Sequence, residues 1–481
     1  MHNNSMPIKF GTDGWRGIIA EDFTFDSVRL CARATAESLL KQPEANPVAV
    51  IGYDTRFASQ DFARAAAEVL AASGVKVIFS DSSCPTPVLS HATTTFQASV
   101  GIAITASHNP AKWNGFKLKA PDGSSAPENM IKAVEKYASN SSISSDVRQT
   151  SFVEGVKNGL IEMADFNPPY YAKMAELVDL ENLKKAQFKA CFDPMYGAGA
   201  GYLKQLVEGG NMAIIEMNSN PNPAFPGIKQ PEPIAPNLEK LSNMVTEINA
   251  SVGLATDGDA DRLGIIDEKG RFLNTLQVYS LLALYLLEVR GERGPIVKTI
   301  TSSAMLDRLG EIYNVPVFEV QVGFKNVAPV MIRENAMIGG EESGGYGYRG
   351  HIPERDGILS ALYFLDYMIK TGKYPSELVD LLYQKVGPHF YDRIDIEFPP
   401  RQKPAIIDLV EKARPETLDG AKVVKRDKLD GFRFSLDDNS WLLIRFSGTE
   451  PLLRIYSEAS SKEKVEKLLE AGREMAGLRQ H

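Results

Sequence analysis

The chain has few of the features that mark secreted, membrane-spanning or nucleic-acid-binding proteins. Its 481 residues hold only three cysteines, Cys31, Cys84 and Cys191. They are scattered, odd in number and lack metal-ligand spacing. This excludes a disulfide framework and a thiolate metal site, and predicts reduced, buried thiols in a cytoplasmic protein. Residues 1–6 carry neither a basic nor an apolar stretch, so no secretion signal is expected. No hydrophobic run is long enough for a bilayer. The longest, 276–287, contains Gln277, Tyr279 and Ser280 and reads as a buried helix. Cations are not in excess either: 53 Lys and Arg stand against 61 Asp and Glu, a formal net charge of -8. That balance argues against nucleic acid and anionic membrane as partners and leaves local basic pockets for small anions.

What is present fits a globular protein, with 43% hydrophobic and 24% charged residues. A length prior of about 150 residues per domain gives roughly three or four domains. Helical and strand patterns alternate. Residues 25–41 read as a helix that Asp26 can cap, 48–52 as a buried strand, and 59–73 as a helix with Ser59 as N-cap and Gly74 just past its end. Further strands are expected at 75–79 and 99–105, and a serine-rich loop at 139–145. The pattern restarts with helix 167–177, strand 189–193, helix 198–208, strand 213–217, helix 238–249 and strand 251–256. A third round runs from the helix at 276 through strand 296–300, helix 303–313, strands 317–321 and 336–339, and helix 358–370. Such alternation predicts largely parallel sheets with helices on their faces. From about residue 389 a smaller α+β domain is expected, with strand 391–398, helix 404–413, two strands around an Asp438-Asn439 turn and a charged terminal helix.

Four polar loops carry candidate chemistry. The first, Thr105-Ala106-Ser107-His108-Asn109-Pro110, follows the apolar run 99–104. Strand ends in α/β sheets are where ligands bind, and Ser107 has there a hydroxyl with a potential proton partner in His108. The second, Asp257-Gly258-Asp259-Ala260-Asp261-Arg262, sets three carboxylates at alternate positions after a strand. Clustered anions repel one another, and their hard oxygens suit Mg²⁺. Arg262 is expected to orient one carboxylate through a bidentate pair. A calcium EF-hand is excluded, because Arg262 occupies the sixth position, where that turn needs glycine; a solvated acidic turn is the alternative. The third, Gly339-Gly340-Glu341-Glu342-Ser343-Gly344-Gly345, suits sugar hydroxyls and reads equally as a glycine-rich surface turn. The fourth, Arg445-Phe446-Ser447-Gly448-Thr449-Glu450-Pro451, combines an arginine, hydroxyls and exposed amides as a phosphate cradle would, or is a plain strand-to-turn junction. Gly11-Thr12-Asp13-Gly14-Trp15-Arg16-Gly17 adds Arg16, while Asn114-Gly115-Phe116-Lys117 and Gly323-Phe324-Lys325 each add a lysine. Surface charge is the commoner fate of a lone cation. A serine hydrolase is excluded, since no G-x-S-x-G elbow surrounds Ser107 and the acidic loop would have no role.

Taken in order, these loops resemble those of the α-D-phosphohexomutase family, which includes phosphoglucomutases, phosphomannomutases and phosphoglucosamine mutases. The resemblance covers essentially the whole chain. It implies an α/β fold of three related α/β domains with mixed sheets, plus a smaller C-terminal α+β domain, around a central cleft. The expected divisions are 1–160, 161–270, 271–387 and 388–481. It implies that Ser107 is a phosphoserine and that Asp257, Asp259 and Asp261, with a phosphate oxygen on Ser107, hold Mg²⁺. Glu341 and Ser343 would grip sugar hydroxyls, and Arg445, Ser447, Gly448 and Thr449 the non-reacting phosphate. Arg16 and Lys117 match residues beside the transferring phosphoryl group, Lys325 matches a cleft lysine of phosphoglucomutases, and His108 and Lys117 are candidates for proton transfer. The implied reaction interconverts hexose 1-phosphate and hexose 6-phosphate through hexose 1,6-bisphosphate, which also serves as activator. The expected partner is a small-molecule sugar phosphate, not a nucleic acid or a membrane, and the expected enzyme is a cytoplasmic monomer or homodimer of carbohydrate metabolism.

Two positions depart from the family pattern. Gly345 stands where dual-specific and glucosamine members often have histidine. If that histidine accepts a proton, Lys325 or His351 must serve here. Phe446 stands where several members have proline. The Glu341-Glu342-Ser343 version leans towards glucose. Mannose and glucosamine phosphates are the alternatives, together with a catalytically silent sugar-phosphate binder, which would be expected to have lost Ser107 or one of the three aspartates.

Overall fold

The computed structural model describes residues 8–41, 46–140, 147–446 and 452–478. Ser447, Gly448, Thr449 and most of the expected 139–145 loop lie outside the described residues.

Short runs build the first sheet from β1 (Trp15–Ile18), β2 (Val48–Tyr53), β3 (Lys76–Ser80), β4 (Val100–Ile104), β5 (Trp113–Lys119) and β6 (Ile161–Ala164), in the order β1-β5-β4-β2-β3-β6, with Val and Ile abundant in β2, β3 and β4. β4, β2, β3 and β6 run parallel, whereas β5 and β1 are antiparallel additions. The second sheet comprises β7 (Lys189–Asp193), β8 (Ala213–Glu216), β9 (Val252–Thr256), β10 (Leu263–Ile266) and β11 (Phe272–Leu273), ordered β11-β10-β9-β7-β8. The third comprises β12 (Ile296–Thr299), β13 (Val317–Val320), β14 (Ile338–Gly340) and β15 (Tyr346–Tyr348), ordered β13-β12-β14-β15. The sheets are therefore mixed rather than largely parallel. After the third strand of each parallel trio the chain turns straight back into an antiparallel neighbour, β5, β10 or β15. A reversal of that kind needs only a short loop, whereas a parallel return needs a crossover. The serine loop, the aspartate loop and the Glu341 loop are thus one topological position used three times.

Capping differs from the expectation in two places. Helix Phe25–Leu40 is capped by Thr24 in a reciprocal box with Ser27, while Asp26 lies inside the first turn. Helix Ser59–Ala72 begins after Ala58 without a side-chain cap, because the Ser59 hydroxyl is committed to Asp54, 2.7 Å away. The apolar helix Thr275–Leu284, continued by a wider π-helical turn over Tyr285–Val289, is buried as expected. It lies in an apolar cluster that also takes residues from the first and second units, such as Val50, Tyr170 and Leu254. The three units therefore share one core and have little freedom to separate. All three cysteines are free and buried, and burial pushes the Cys84 thiol up to about 12. Among the described residues no helix is long and apolar enough to cross a membrane.

The C-terminal domain is an antiparallel sheet of β16 (Phe390–Glu397), β17 (Thr417–Leu418), β18 (Ala421–Asp427), β19 (Phe432–Leu436), β20 (Trp441–Phe446) and β21 (Leu452–Ala459). Helices Lys403–Lys412 and Lys462–Met475 accompany it, and its own core includes Val410, Phe434, Leu442 and Leu468. It meets the third unit where Ile300 packs with Trp441, Leu443 and Tyr456. At that contact the buried Glu458 accepts the Ala304 N–H at 2.7 Å, the Trp441 Nε1–H at 3.0 Å and the Ser303 hydroxyl. Removing this acceptor strands buried donors, so Glu458→Ala is expected to cost about 3 kcal/mol, measured by urea denaturation. A loss below about 0.5 kcal/mol, ordinary for a surface change, would contradict the assigned role.

Candidate active site

The serine loop is shaped by a residue that the sequence reading passed over. Arg56, buried just beyond β2, donates Nη2 to the carbonyls of Ser107 and Asn109 at 2.6 and 2.5 Å, and Nη1 to those of Pro110 and Trp113 at 3.0 and 3.1 Å. Its Nε faces Asp54 at 3.2 Å. One guanidinium thus reaches four carbonyls of a turn whose own backbone bonds, Asn109 N–H to the Ala106 carbonyl and Trp113 N–H to that of Pro110, leave those of Ser107 and Asn109 to it. Ser107 has a φ of 50°, left-handed and strained for a non-glycine residue. Its hydroxyl donates to Asp257 Oδ2 at 2.8 Å and lies 3.2 Å from His108 Nδ1. Gly258 permits this approach: a Cβ there would lie 2.5 Å from the Ser107 carbonyl oxygen.

Asp257, Asp259 and Asp261 are fully buried, with one ligand oxygen from each within 4.8 Å of the others. The surroundings treat them unequally. Asp257 takes the backbone N–H groups of Asp261 and Arg262 on Oδ1 at 3.0 and 3.1 Å. Burial, then the charges of Asp261 and Asp259, drive its carboxyl well above the ordinary range. Asp259 is buried too, but Lys117 at 2.8 Å and the Thr86 hydroxyl at 2.6 Å outweigh that and hold it well below. Asp261 is raised by burial and by Asp259, against the pull of Arg355 Nη2 at 2.8 Å. Asp259 Oδ1 and both Asp261 oxygens are buried without a hydrogen bond of good geometry. Such oxygens are costly to desolvate, and a small hard cation with oxygen ligands fits them.

Asp13, Lys117 and Arg355 knit this cluster together. Lys117 Nζ lies 2.7 Å from Asp13 Oδ2, 2.8 Å from Asp259 Oδ2 and 3.9 Å from Asp261 Oδ2. Burial pushes the Lys117 ammonium down, but these three carboxylates more than reverse it and keep it charged. Asp13 Oδ2 also receives Arg16 Nη2 at 3.0 Å and Arg355 Nη2 at 3.2 Å. Arg16 Nη1 reaches Asn109 Oδ1 at 2.5 Å, which brings Arg16 to the serine loop. Arg355 Nη1 is 3.4 Å from Glu341 Oε2, so one guanidinium spans the metal-type cluster and the third loop. Ser107, His108, Arg16, Lys117, the three aspartates and Glu341 are thus brought together. Asp13, Arg56, Thr86 and Arg355 complete the set, each tied to the site by at least one partner remote in sequence.

Other expectations are corrected or placed elsewhere. Arg262 does not orient the aspartates bidentately: it pairs with Glu232 at 2.9 Å and stays 4.0 Å from Asp261. His351 turns to Asp356 at 2.9 Å, packed against Tyr170 and His91 rather than against Ser107. Position 345 has no space for a side chain, because a Cβ would lie 2.3 Å from Arg355 Cδ. Ser343 is half-buried in its loop, and Lys325 is exposed at the start of helix Phe324–Glu334. Arg445 ends β20 in an ion pair with Asp430, 3.0 Å from Nε.

Four family models match the chain. They are described as the phosphoglucomutase/phosphomannomutase alpha/beta/alpha domains I, II and III, at 7–144, 168–270 and 275–386, and the C-terminal domain at 397–475. A Thermococcus kodakarensis protein named phosphoglucomutase/phosphomannomutase is 34% identical over 96% of this chain and 97% of its own length. A Methanothermobacter thermautotrophicus protein, named a probable phosphoglucosamine mutase, is 33% identical over 95% of each. The crystal structure of a candidate phosphomannomutase from Thermus thermophilus superposes with a TM-score of 0.86 at 35% identity, covering 98% of this chain and 100% of that one.

A site with orphaned carboxylate oxygens should gain stability from the ion that satisfies them. Mg²⁺ at about 100 times its Kd is expected to add about 2.7 kcal/mol, read as a rise in Tm. Asp261→Asn, which keeps the side chain's shape, should lose most of that rise. An equal rise in the variant would contradict the metal assignment.

Proposed function

The chain belongs to the phosphoglucomutase/phosphomannomutase family, and from that premise we propose that this phosphohexomutase interconverts glucose 1-phosphate and glucose 6-phosphate through a phosphoserine at Ser107. The observation that carries the reading is the 2.8 Å bond from the Ser107 hydroxyl to Asp257, within a buried group of three carboxylates. A nucleophile for acyl transfer has no use for such a neighbour; a phosphate carrier does.

In the first half-reaction the Ser107 Oγ–P bond breaks as a P–O bond forms to a free sugar hydroxyl, whose proton passes through His108 to the released Ser107 Oγ. The product is a hexose 1,6-bisphosphate and a free Ser107. After the intermediate turns round, Ser107 Oγ gives up its proton as it attacks the other phosphorus, the sugar O–P bond there breaks, and the released sugar oxygen takes that proton. Added bisphosphate would recharge the enzyme in the same way. Phosphoryl transfer needs positioning and neutralisation of oxygens above all. Mg²⁺ held by Asp257, Asp259 and Asp261 would supply part of that neutralisation. Lys117, kept charged by three carboxylates, and Arg16, held between Asp13 and Asn109, supply the rest. Lys117 is a cation here and not a base; His108 is the acceptor we favour, since its Nδ1 lies 3.2 Å from Ser107 Oγ and loss of solvent together with Arg262 and Arg16 keeps the ring neutral.

Glu341 and Ser343 would receive sugar hydroxyls, with Lys325 at the start of the neighbouring helix. Arg445, with Ser447, Gly448 and Thr449, would anchor whichever phosphate is not reacting. We place the enzyme in the cytoplasm, on its free buried thiols. The phosphoglucosamine mutase name of one relative favours a second reading, with glucosamine phosphates as substrates. A coupled assay with Mg²⁺ and trace hexose 1,6-bisphosphate tests both, using glucose, mannose and glucosamine 1-phosphates. Glucose 1-phosphate is expected to turn over fastest, and Ser107→Ala to lose at least about 10³-fold of that rate. Faster glucosamine turnover would favour the second reading. Unchanged turnover in Ser107→Ala would remove the serine from its role.

A further inference from the structure

Arg445 and Glu341 belong to different domains, yet one acidic side chain connects them. Asp430, in the turn before β19, holds Arg445 Nε at 3.0 Å on Oδ1. Its Oδ2 accepts the Val322 backbone N–H at 3.0 Å. The next residue, Gly323, donates its own N–H to Glu341 Oε1, also at 3.0 Å. Beside this path Gln321 Nε2 donates to the Leu429 carbonyl at 2.8 Å, so the loop at 321–323 is fastened to the 429–430 turn at two points. Arg445 and Asp430 are largely shielded, with side chains 12% and 22% exposed, so water screens their pairing only in part.

We propose that Asp430 is the positioning residue of the phosphate anchor. Its charge holds the Arg445 guanidinium beside the 429–430 turn and, through Val322 and Gly323, sets the distance of that anchor from Glu341. The proposal rests on the reading of Arg445 as a phosphate ligand and of Glu341 as a sugar ligand. A carboxylate ion-paired on the Nε side would leave the two terminal amino groups to phosphate oxygens, which match such a fork. A free arginine would still attract an anion but would hold it at no fixed separation from the hydroxyl-binding carboxylate. A phosphohexomutase needs that separation twice, since the same anchor must receive the sugar phosphate in both orientations.

The test is a double-mutant cycle on KM and kcat for glucose 1-phosphate, run with Mg²⁺ and trace glucose 1,6-bisphosphate. Loss of binding shared by ground and transition states raises KM and leaves kcat nearly unchanged. Asp430→Asn is expected to raise KM about 10-fold with kcat within about 3-fold. Asp430→Glu keeps the charge but moves it by one methylene, and is also expected to raise KM; it serves as the readout should the asparagine variant fail to fold. Added to Arg445→Ala, neither change should raise KM further by more than about 2-fold, because partners in one network are not additive. An unchanged or lowered KM in both Asp430 variants, with a raised KM in Arg445→Ala, would overturn the positioning role and leave Arg445 as the anchor. Additive losses in the double variants would overturn it as well. An unchanged KM in Arg445→Ala would remove the anchor itself, and the proposal with it.

Discussion

Three aspartates packed into one buried loop repel one another, and the rest of the site is arranged around that repulsion. Without compensation the loop would open towards water or take up protons. Two kinds of compensation meet here. Cations from distant parts of the chain, Lys117 and Arg355, answer Asp259 and Asp261, and Asp13 in turn holds those cations in place. Backbone amides and the Ser107 hydroxyl answer Asp257. The answer is incomplete, and the buried oxygens of Asp259 and Asp261 left without a hydrogen bond are the ones a divalent cation would satisfy. A serine bonded directly to such a cluster is well placed to carry a phosphate, whose charge the same cations and metal would balance.

Convergence of the loops follows from topology. Each α/β unit places a polar loop between the third parallel strand and an antiparallel return strand. Because the units share a core, these three loops are held against each other rather than facing solvent separately. The fold therefore supplies a serine, a metal-type cluster and the Glu341 carboxylate from a single architectural position. The C-terminal domain, fastened through Glu458 and Asp430, brings the remaining cation from outside that repeat.

What could be read from the sequence was whatever is dense and local. The triplet at Asp257, Asp259 and Asp261 and the serine after an apolar strand are motifs of a few residues, and the structure places them in contact. In the second unit the strands at 189–193, 213–216 and 252–256 were legible because their apolar runs are short and buried, whereas β10, β11 and helix Leu180–Lys185 were missed. Helix Phe324–Glu334 was missed because Pro329 sits inside it, and helix Thr86–Thr95 because prolines and threonines crowd its start and end. β15 has only three residues and a central glycine, too little for a strand pattern. Arg56, Asp13, Arg355 and Asp430 carry no local signal. Each is a single charge whose meaning lies in folded contacts, within its own unit for Arg56 and across units for Asp13, Arg355 and Asp430, which periodicity does not reveal. The expected Arg262 pairing failed for the same reason: the competing partner, Glu232, lies outside the motif.

The account stands or falls on Ser107 as a phosphate carrier, and the direct measurement is a two-step transfer followed by mass spectrometry. Protein is treated with glucose 1,6-bisphosphate and Mg²⁺, freed of sugar, and then mixed with glucose 6-phosphate. One phosphate should appear on the peptide containing Ser107 and pass to the sugar as bisphosphate at least as fast as steady-state turnover. Phosphate on a different residue, or phosphate on Ser107 that the sugar fails to discharge at that rate, would contradict it.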